Sequence, residues 1–251
     1  MLHKWEITIP RLSRGLRRRA YLYLPQAYDE EPDARFPVLY MLDGQNIFLD
    51  ADASFGTSWK MYDYLNQSKT RVIVAAVESN PIGNGRLEEY SPFTHEEEAL
   101  GFIRGRGRMT MEWLIHEFKP MIDRHFRTLA DRENTLIAGS SMGGLMSLYA
   151  ACAYNDTFSR AACLSPSLWV DPGKVRSMIR RANFAPDTVI YMDYGADEIA
   201  NHETTRDLLM STCQALYARG VNLTFRIVPD GTHCEDSWSR QLPVFMACLG
   251  L

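Results

Sequence analysis

A serine set among glycines, in Leu136-Ile137-Ala138-Gly139-Ser140-Ser141-Met142-Gly143-Gly144, lies between an apolar run and a stretch able to form helix. In that setting a G-x-S-x-G segment makes a nucleophile elbow. The chain must reverse from strand to helix within about two residues. This strains the serine backbone and exposes its hydroxyl at the helix N-terminus, while the flanking glycines leave room for the turn and for close packing of helix on sheet. The N–H of Met142 then points at the place where an oxyanion would form, aided by the helix dipole. Glycine and serine are common, and an ordinary turn can spell the same motif, so it needs companions.

Three companions join it: an acid and a histidine that follow in the chain order one class of catalytic triad requires, and an early-strand loop for the oxyanion. After an apolar run, Asp193-Tyr194-Gly195-Ala196-Asp197-Glu198 ends a strand in a turn bearing carboxylates. Either Asp197 or Glu198 could be the acid, and either could instead cap the next helix. Asp230-Gly231-Thr232-His233 places a histidine on a tight turn after the last strand, where its ring can swing over the sheet edge. Of the six histidines it alone follows that strand; His202 is the one competitor, and His116 and His125 fall on a helix surface. Tyr40-Met41-Leu42-Asp43-Gly44-Gln45-Asn46 supplies an early-strand loop whose Gln45 N–H would be the second oxyanion donor, although Asp-Gly also marks a plain β-turn. Together these residues describe acyl transfer: His233 deprotonates Ser141, a carboxylate fixes the imidazole tautomer, and water later releases an acid. That chemistry needs neither a metal nor an organic cofactor.

Such residues must be carried on a frame. The runs 38–42, 71–77, 136–138 and 189–192 are short, continuous and rich in Val, Ile and Leu, as strands covered on both faces are. Between them lie amphipathic stretches, the clearest over 109–127, where Pro120 predicts a kink, and another over 204–219 ending at Gly220. Leu223, Phe225 and Ile227 alternate with Thr224, Arg226 and Val228, as on an edge strand. At the N-terminus Trp5/Ile7/Ile9 and Ala20-Tyr21-Leu22-Tyr23-Leu24 flank a turn around Ser13-Arg14-Gly15, predicting an antiparallel hairpin at the sheet edge. The five arginines from Arg11 to Arg19 read as exposed charge on that turn and edge strand. The pattern is an α/β sandwich of one domain, residues 1–251, with its site at the carboxyl ends of the strands. Residues 78–107 are too long for a simple connection and read as a lid or substrate loop.

Composition narrows the remaining choices. Twenty-seven Lys and Arg against 31 Asp and Glu give a net charge of −4, which supplies no global field for a polyanion, so nucleic-acid binding is not expected. No apolar run approaches the roughly 18 residues that span a bilayer. The N-terminus lacks a signal-peptide pattern, and five cysteines without Cys-x-x-Cys fit a reducing compartment, so a cytoplasmic protein without membrane partners is expected. Neither disulfides nor structural zinc are expected, and oligomeric state is not legible.

Asp43-Gly44-Gln45-Asn46, Arg86-Leu87-Glu88-Glu89-Tyr90-Ser91-Pro92, Phe118-Lys119-Pro120-Met121-Ile122-Asp123, Gly139-Ser140-Ser141-Met142-Gly143-Gly144 and Gly231-Thr232-His233-Cys234-Glu235 resemble the esterase family of α/β-hydrolases. That family holds esterase D (S-formylglutathione hydrolase), feruloyl esterases, enterochelin-type trilactone esterases and mycolyltransferases. The resemblance runs from about residue 17 onward. It implies a three-layer α/β-hydrolase fold with a mostly parallel sheet, and a serine carboxylesterase acting on a small-molecule ester. An acyltransferase using the same acyl-enzyme, or an idle fold used for binding, are the alternatives. By family spacing from Gly195 the acid is Glu198, and Gly44-Gln45 is the loop lending the second oxyanion N–H. Asn46, Arg86 and Tyr90 fall beside the site, and Trp59 and Trp169 are candidate pocket walls; each of these types also suits plain packing. Arg104, Arg106 and Arg108, spaced by glycines, would together with Arg86 favour anionic or phenolic esters if they border the pocket.

Overall fold

The structure is a computed structural model and describes residues 1–97, 101–200 and 203–251. Eight strands make the main sheet: β1 (Leu2–Thr8), β2 (Arg17–Tyr23), β3 (Val38–Met41), β4 (Ile73–Val77), and, numbered past a small hairpin of β5 (His95–Glu97) and β6 (Gly101–Ile103), β7 (Thr135–Ser140), β8 (Arg160–Leu164), β9 (Val189–Gly195) and β10 (Asn222–Val228). Their order is β1-β2-β4-β3-β7-β8-β9-β10. Only β2 runs against its neighbours; from β4 to β10 every pairing is parallel.

Strand side chains alternate between two apolar layers. Val38, Tyr40, Ile73, Ala75, Ile137 and Ile190 pack under the helices Met142–Ala153, Pro172–Arg181 and Glu203–Tyr217, with Leu145, Leu148, Ile179 and Leu216 from those helices. Leu39, Met41, Val74, Leu136, Ala138 and Tyr191 face the other way, onto Met61 and Leu65 of the helix Met61–Ser68 and onto Trp238, Phe245 and Met246 near the C-terminus. Helices on both faces of the sheet give three layers, as expected. Both layers are built of side chains almost wholly removed from water, the main favourable term in holding such a sandwich together.

Three local readings change. The β1–β2 connection is no tight turn: Pro10–Ser13 forms a helical turn before Arg14 takes a positive φ of 52°. The arginine cluster is not all surface, because Arg18, 3% exposed, forms two hydrogen bonds to Glu89 at 2.6 and 2.7 Å. A buried guanidinium is tolerated only with such a partner; the pair ties β2 to the helix Gly85–Glu89. Before Pro120 the helix Gly107–Trp113 widens into a π turn, Leu114–Phe118, and resumes as Lys119–His125. Proline lacks the N–H and crowds the carbonyl four residues back, and a widened turn is one way to relieve both.

Residues 78–107 are structured where they are described, by the helix Gly85–Glu89 and the β5–β6 pair. No helix among the described residues is long and apolar enough to cross a membrane.

Candidate active site

Ser141 joins β7 to the helix Met142–Ala153 with φ 58° and ψ −122°, a conformation L-residues rarely adopt. Its own N–H donates to the Leu164 carbonyl at 2.9 Å and its carbonyl accepts from Ser167 N–H at 3.0 Å, so β8 and the loop after it hold the elbow. Gly139 is needed there: a Cβ on it would lie 2.8 Å from the Gly143 carbonyl carbon.

Nε2 of His233 lies 2.9 Å from Ser141 Oγ, and Nδ1 lies 2.6 Å from Glu198 Oε2. Three segments far apart in sequence therefore meet at the carboxyl ends of β7, β9 and β10. A glycine pair brings the last two together: a Cβ on Gly195 would lie 2.1 Å from the Gly231 carbonyl oxygen. The second oxygen of Glu198 accepts from Gly195 N–H at 2.9 Å and from Ser165 Oγ at 2.7 Å. Ser165 Oγ in turn accepts from Trp238 Nε1–H at 3.0 Å, and the Trp238 ring stands edge-on to His233 with centroids 4.9 Å apart. Burial alone would raise the Glu198 carboxyl, but the hydrogen bonds from His233, Ser165 and Gly195 outweigh it and hold the group below the usual carboxylate value. Ser165 and Trp238 carry no motif that sequence reading could have found. His202 lies outside the described residues.

Gln45 sits in the 3-10 turn Gly44–Asn46, and Met142 begins its helix. The first N–H groups of a helix have no acceptor within it. The Gln45 side chain is spoken for: its Nε2 donates to Ser79 Oγ at 3.0 Å and its Oε1 accepts from Ser79 N–H at 3.1 Å. Asp43, with φ 57°, shapes this turn. Its N–H donates to Tyr90 Oη at 3.0 Å and its carboxylate takes Arg86 Nε and Nη2 at 2.7 and 2.8 Å. Burial would lower Arg86, but the Asp43 charge overcomes this and raises it above its ordinary value.

A cleft of about 660 Å³ opens on Ser141 and His233, walled by Gln45, Asn46, Trp59, Arg86, Glu235 and Trp238 among others. Trp59, 1% exposed, is at once wall and core, packed on Trp238 and Phe245. Tyr90 and Trp169 are not in that wall. Tyr90 is buried behind it as the Asp43 anchor, and Trp169, 48% exposed, stands against His95 of β5. Arg104, Arg106 and Arg108 also do not line the cleft: Arg106 donates to the Arg11 carbonyl at 2.8 Å and Arg108 to Glu112 at 2.7 Å. Arginine-glycine spacing does not say which way a loop faces.

Asp193 lies under this network, wholly buried, accepting from Tyr191 Oη at 2.7 Å and Ser165 N–H at 3.3 Å. Burial pushes its carboxyl up to about 6 despite both bonds. The folded state thus binds this proton more tightly than the unfolded chain does, and stability falls as pH climbs from about 4 to about 6. Asp193→Asn is expected to raise unfolding free energy at pH 8 by at most about 3 kcal/mol, with the gap closing towards pH 4. Urea midpoints at both pH values check this; an equal gap at each would refute it.

The layered sheet, its strand order and the elbow at the end of β7 define an α/β-hydrolase. The Esterase family, described as "Putative esterase", matches residues 13–247, and the chain belongs to it: it is a hydrolase acting on ester bonds. Among relatives, the uncharacterized protein YbbA of Bacillus subtilis is 24% identical over 184 residues, 72% of this chain and 69% of its own length. The ferri-bacillibactin esterase BesA of Bacillus subtilis is 24% identical over 233 residues, 82% of this chain and 74% of its own. Among solved structures, an IroE-like serine hydrolase from Shewanella oneidensis aligns with a TM-score of 0.79 at 18% identity, covering 100% of this chain and 79% of that one.

Proposed function

We propose that this chain, residues 1–251 acting as one catalytic domain, is a cytoplasmic serine carboxylesterase that cleaves a small-molecule ester through an acyl-enzyme. The observation that carries the reading is the unbroken hydrogen-bond line from Ser141 through His233 to Glu198 at the mouth of the cleft. His233 Nε2 takes the Ser141 proton as Oγ attacks the ester carbonyl, while the N–H groups of Gln45 and Met142 hold the oxyanion. The proton passes to the leaving alcohol oxygen, and the C–O bond to that alcohol breaks. Water, deprotonated by the same imidazole, attacks the acyl-enzyme; the acid leaves and Ser141 recovers its proton. Glu198 keeps the Nδ1–H tautomer throughout.

An alkyl fluorophosphonate is expected to label Ser141 stoichiometrically and to stop release of acid from p-nitrophenyl acetate. Peptide mapping reads the position, and a label on any other residue overturns the assignment. Adding methanol at molar concentration separates hydrolysis from acyl transfer: acid remains the main product of an esterase, whereas a transferase turns it into methyl ester.

A further inference from the structure

Charges along the cleft do not cancel. Asp43 has both oxygens on Arg86, and Glu78 has one oxygen on Arg19 Nη2 and the other on Arg19 N–H, each at 3.0 Å. Glu235 differs. It lines the cleft two residues after His233, and among the described residues it has no ion-pair partner. One oxygen accepts from Asn46 Nδ2 at 3.1 Å, and among the described residues the only other donor to the carboxylate is its own backbone N–H. A carboxylate offers about four acceptor sites, so capacity is left. Glu235 is only 8% exposed, and an ionised carboxylate so far removed from water is costly unless a cation joins it. Among the described residues the one permanent cation in the wall is Arg86; its charge is felt at Glu235, but its hydrogen bonds go to both oxygens of Asp43, and the three glycine-spaced arginines lie elsewhere.

We propose that Glu235 is a specificity-determining residue that selects esters carrying a cationic nitrogen, an alkylammonium or quaternary ammonium group, within reach of this wall when the ester carbon is at Ser141. The proposal rests on the esterase reading and names its substrate class. The ammonium supplies the missing counter-charge in a site partly shielded from water, where such a pair gains more than it would in bulk solvent. An anionic ester meets the same carboxylate and is repelled. The charge preference is thus opposite to the one that arginine content alone suggests.

Two matched series of esters test this. One varies the acyl chain end (ammonium, methyl, carboxylate) on a constant p-nitrophenol leaving group. The other sets a trimethylammonioethyl ester beside its uncharged 3,3-dimethylbutyl isostere. In at least one series the cationic ester is expected to exceed its neutral partner about tenfold or more in kcat/KM, with the carboxylate ester poorest. In Glu235→Gln the cationic-to-neutral ratio is expected to fall to about one. Because the readout is a ratio within one protein, general loss of activity cancels. Should Glu235→Gln fail to fold, the wild-type ratio must still shrink as salt is raised from about 0.01 to 1 M. A wild-type ratio of one or less in both series, a ratio unchanged by Glu235→Gln, or a ratio indifferent to salt overturns the proposal. Hydrolysis of the neutral esters, and its dependence on Ser141, reports separately on the esterase reading.

Discussion

Ser141→Ala is expected to lower kcat for p-nitrophenyl acetate by about 10⁵- to 10⁶-fold, the scale on which removing the nucleophile of such a triad disables it. The fold should barely notice. Ser141 Oγ contacts His233 at 2.9 Å and Ser167 Oγ at 3.5 Å, and the hydrogen bonds that hold the elbow are made by its backbone. Alanine meets the same penalty at φ 58° as serine does, so the strain of the turn is unchanged. Circular dichroism and the urea midpoint should therefore match wild type while turnover disappears. If the Gln45 and Met142 N–H groups hold the oxyanion as proposed, some acceleration over water should survive the loss of the hydroxyl. Equal rates for the two proteins would remove Ser141 from the chemistry.

What sequence can and cannot say is visible residue by residue. Ser141 and His233 stand out because each lies on a turn whose glycines are required by sterics, and those turns follow the apolar run of β7 and the alternating stretch of β10. β8 was not legible: Arg160-Ala-Ala-Cys-Leu has no β-branched residue, and it is a strand because β7 and β9 flank it. Arg86, Tyr90, Trp59 and Trp169 belong to types that suit a pocket wall, an ion pair or a core equally well. Their surroundings decide, and those come from chain positions tens of residues away: Arg86 is held by Asp43, Tyr90 by the Asp43 N–H, and Trp169 by His95.

The same limit hid Ser165 and Trp238. They are 73 residues apart, and nothing in either segment announces a hydrogen bond to the other. Once folded, Trp238 touches His233 with its ring and, through its N–H, Ser165, which donates to Glu198. A single side chain thereby couples the positions of His233 and Glu198, in a helix that begins two residues after the histidine.

Glu198→Gln is expected to lower kcat by about 10⁴-fold, because the amide traps His233 in the wrong tautomer. Two groups decide how a glutamine would lie. Gly195 N–H is fixed as a donor, and Ser165 Oγ, already accepting from Trp238, has its own proton left to give. Both address the position of Oε1, so the amide oxygen goes there and the NH₂ turns to His233 Nδ1. Nδ1 must then be bare and Nε2 must carry the hydrogen, leaving no lone pair to take the Ser141 proton. Asp197→Asn is expected to change kcat less than about threefold, since the carboxylate bonded to His233 belongs to Glu198, and successive residues of a helix point about 100° apart. Comparing kcat for the two variants at pH 8 decides between neighbours that the turn residues alone left level and that only the family resemblance separated, in favour of Glu198. A larger loss in Asp197→Asn would transfer the acid's role to Asp197 and leave the 2.6 Å contact between Glu198 and His233 without a catalytic meaning.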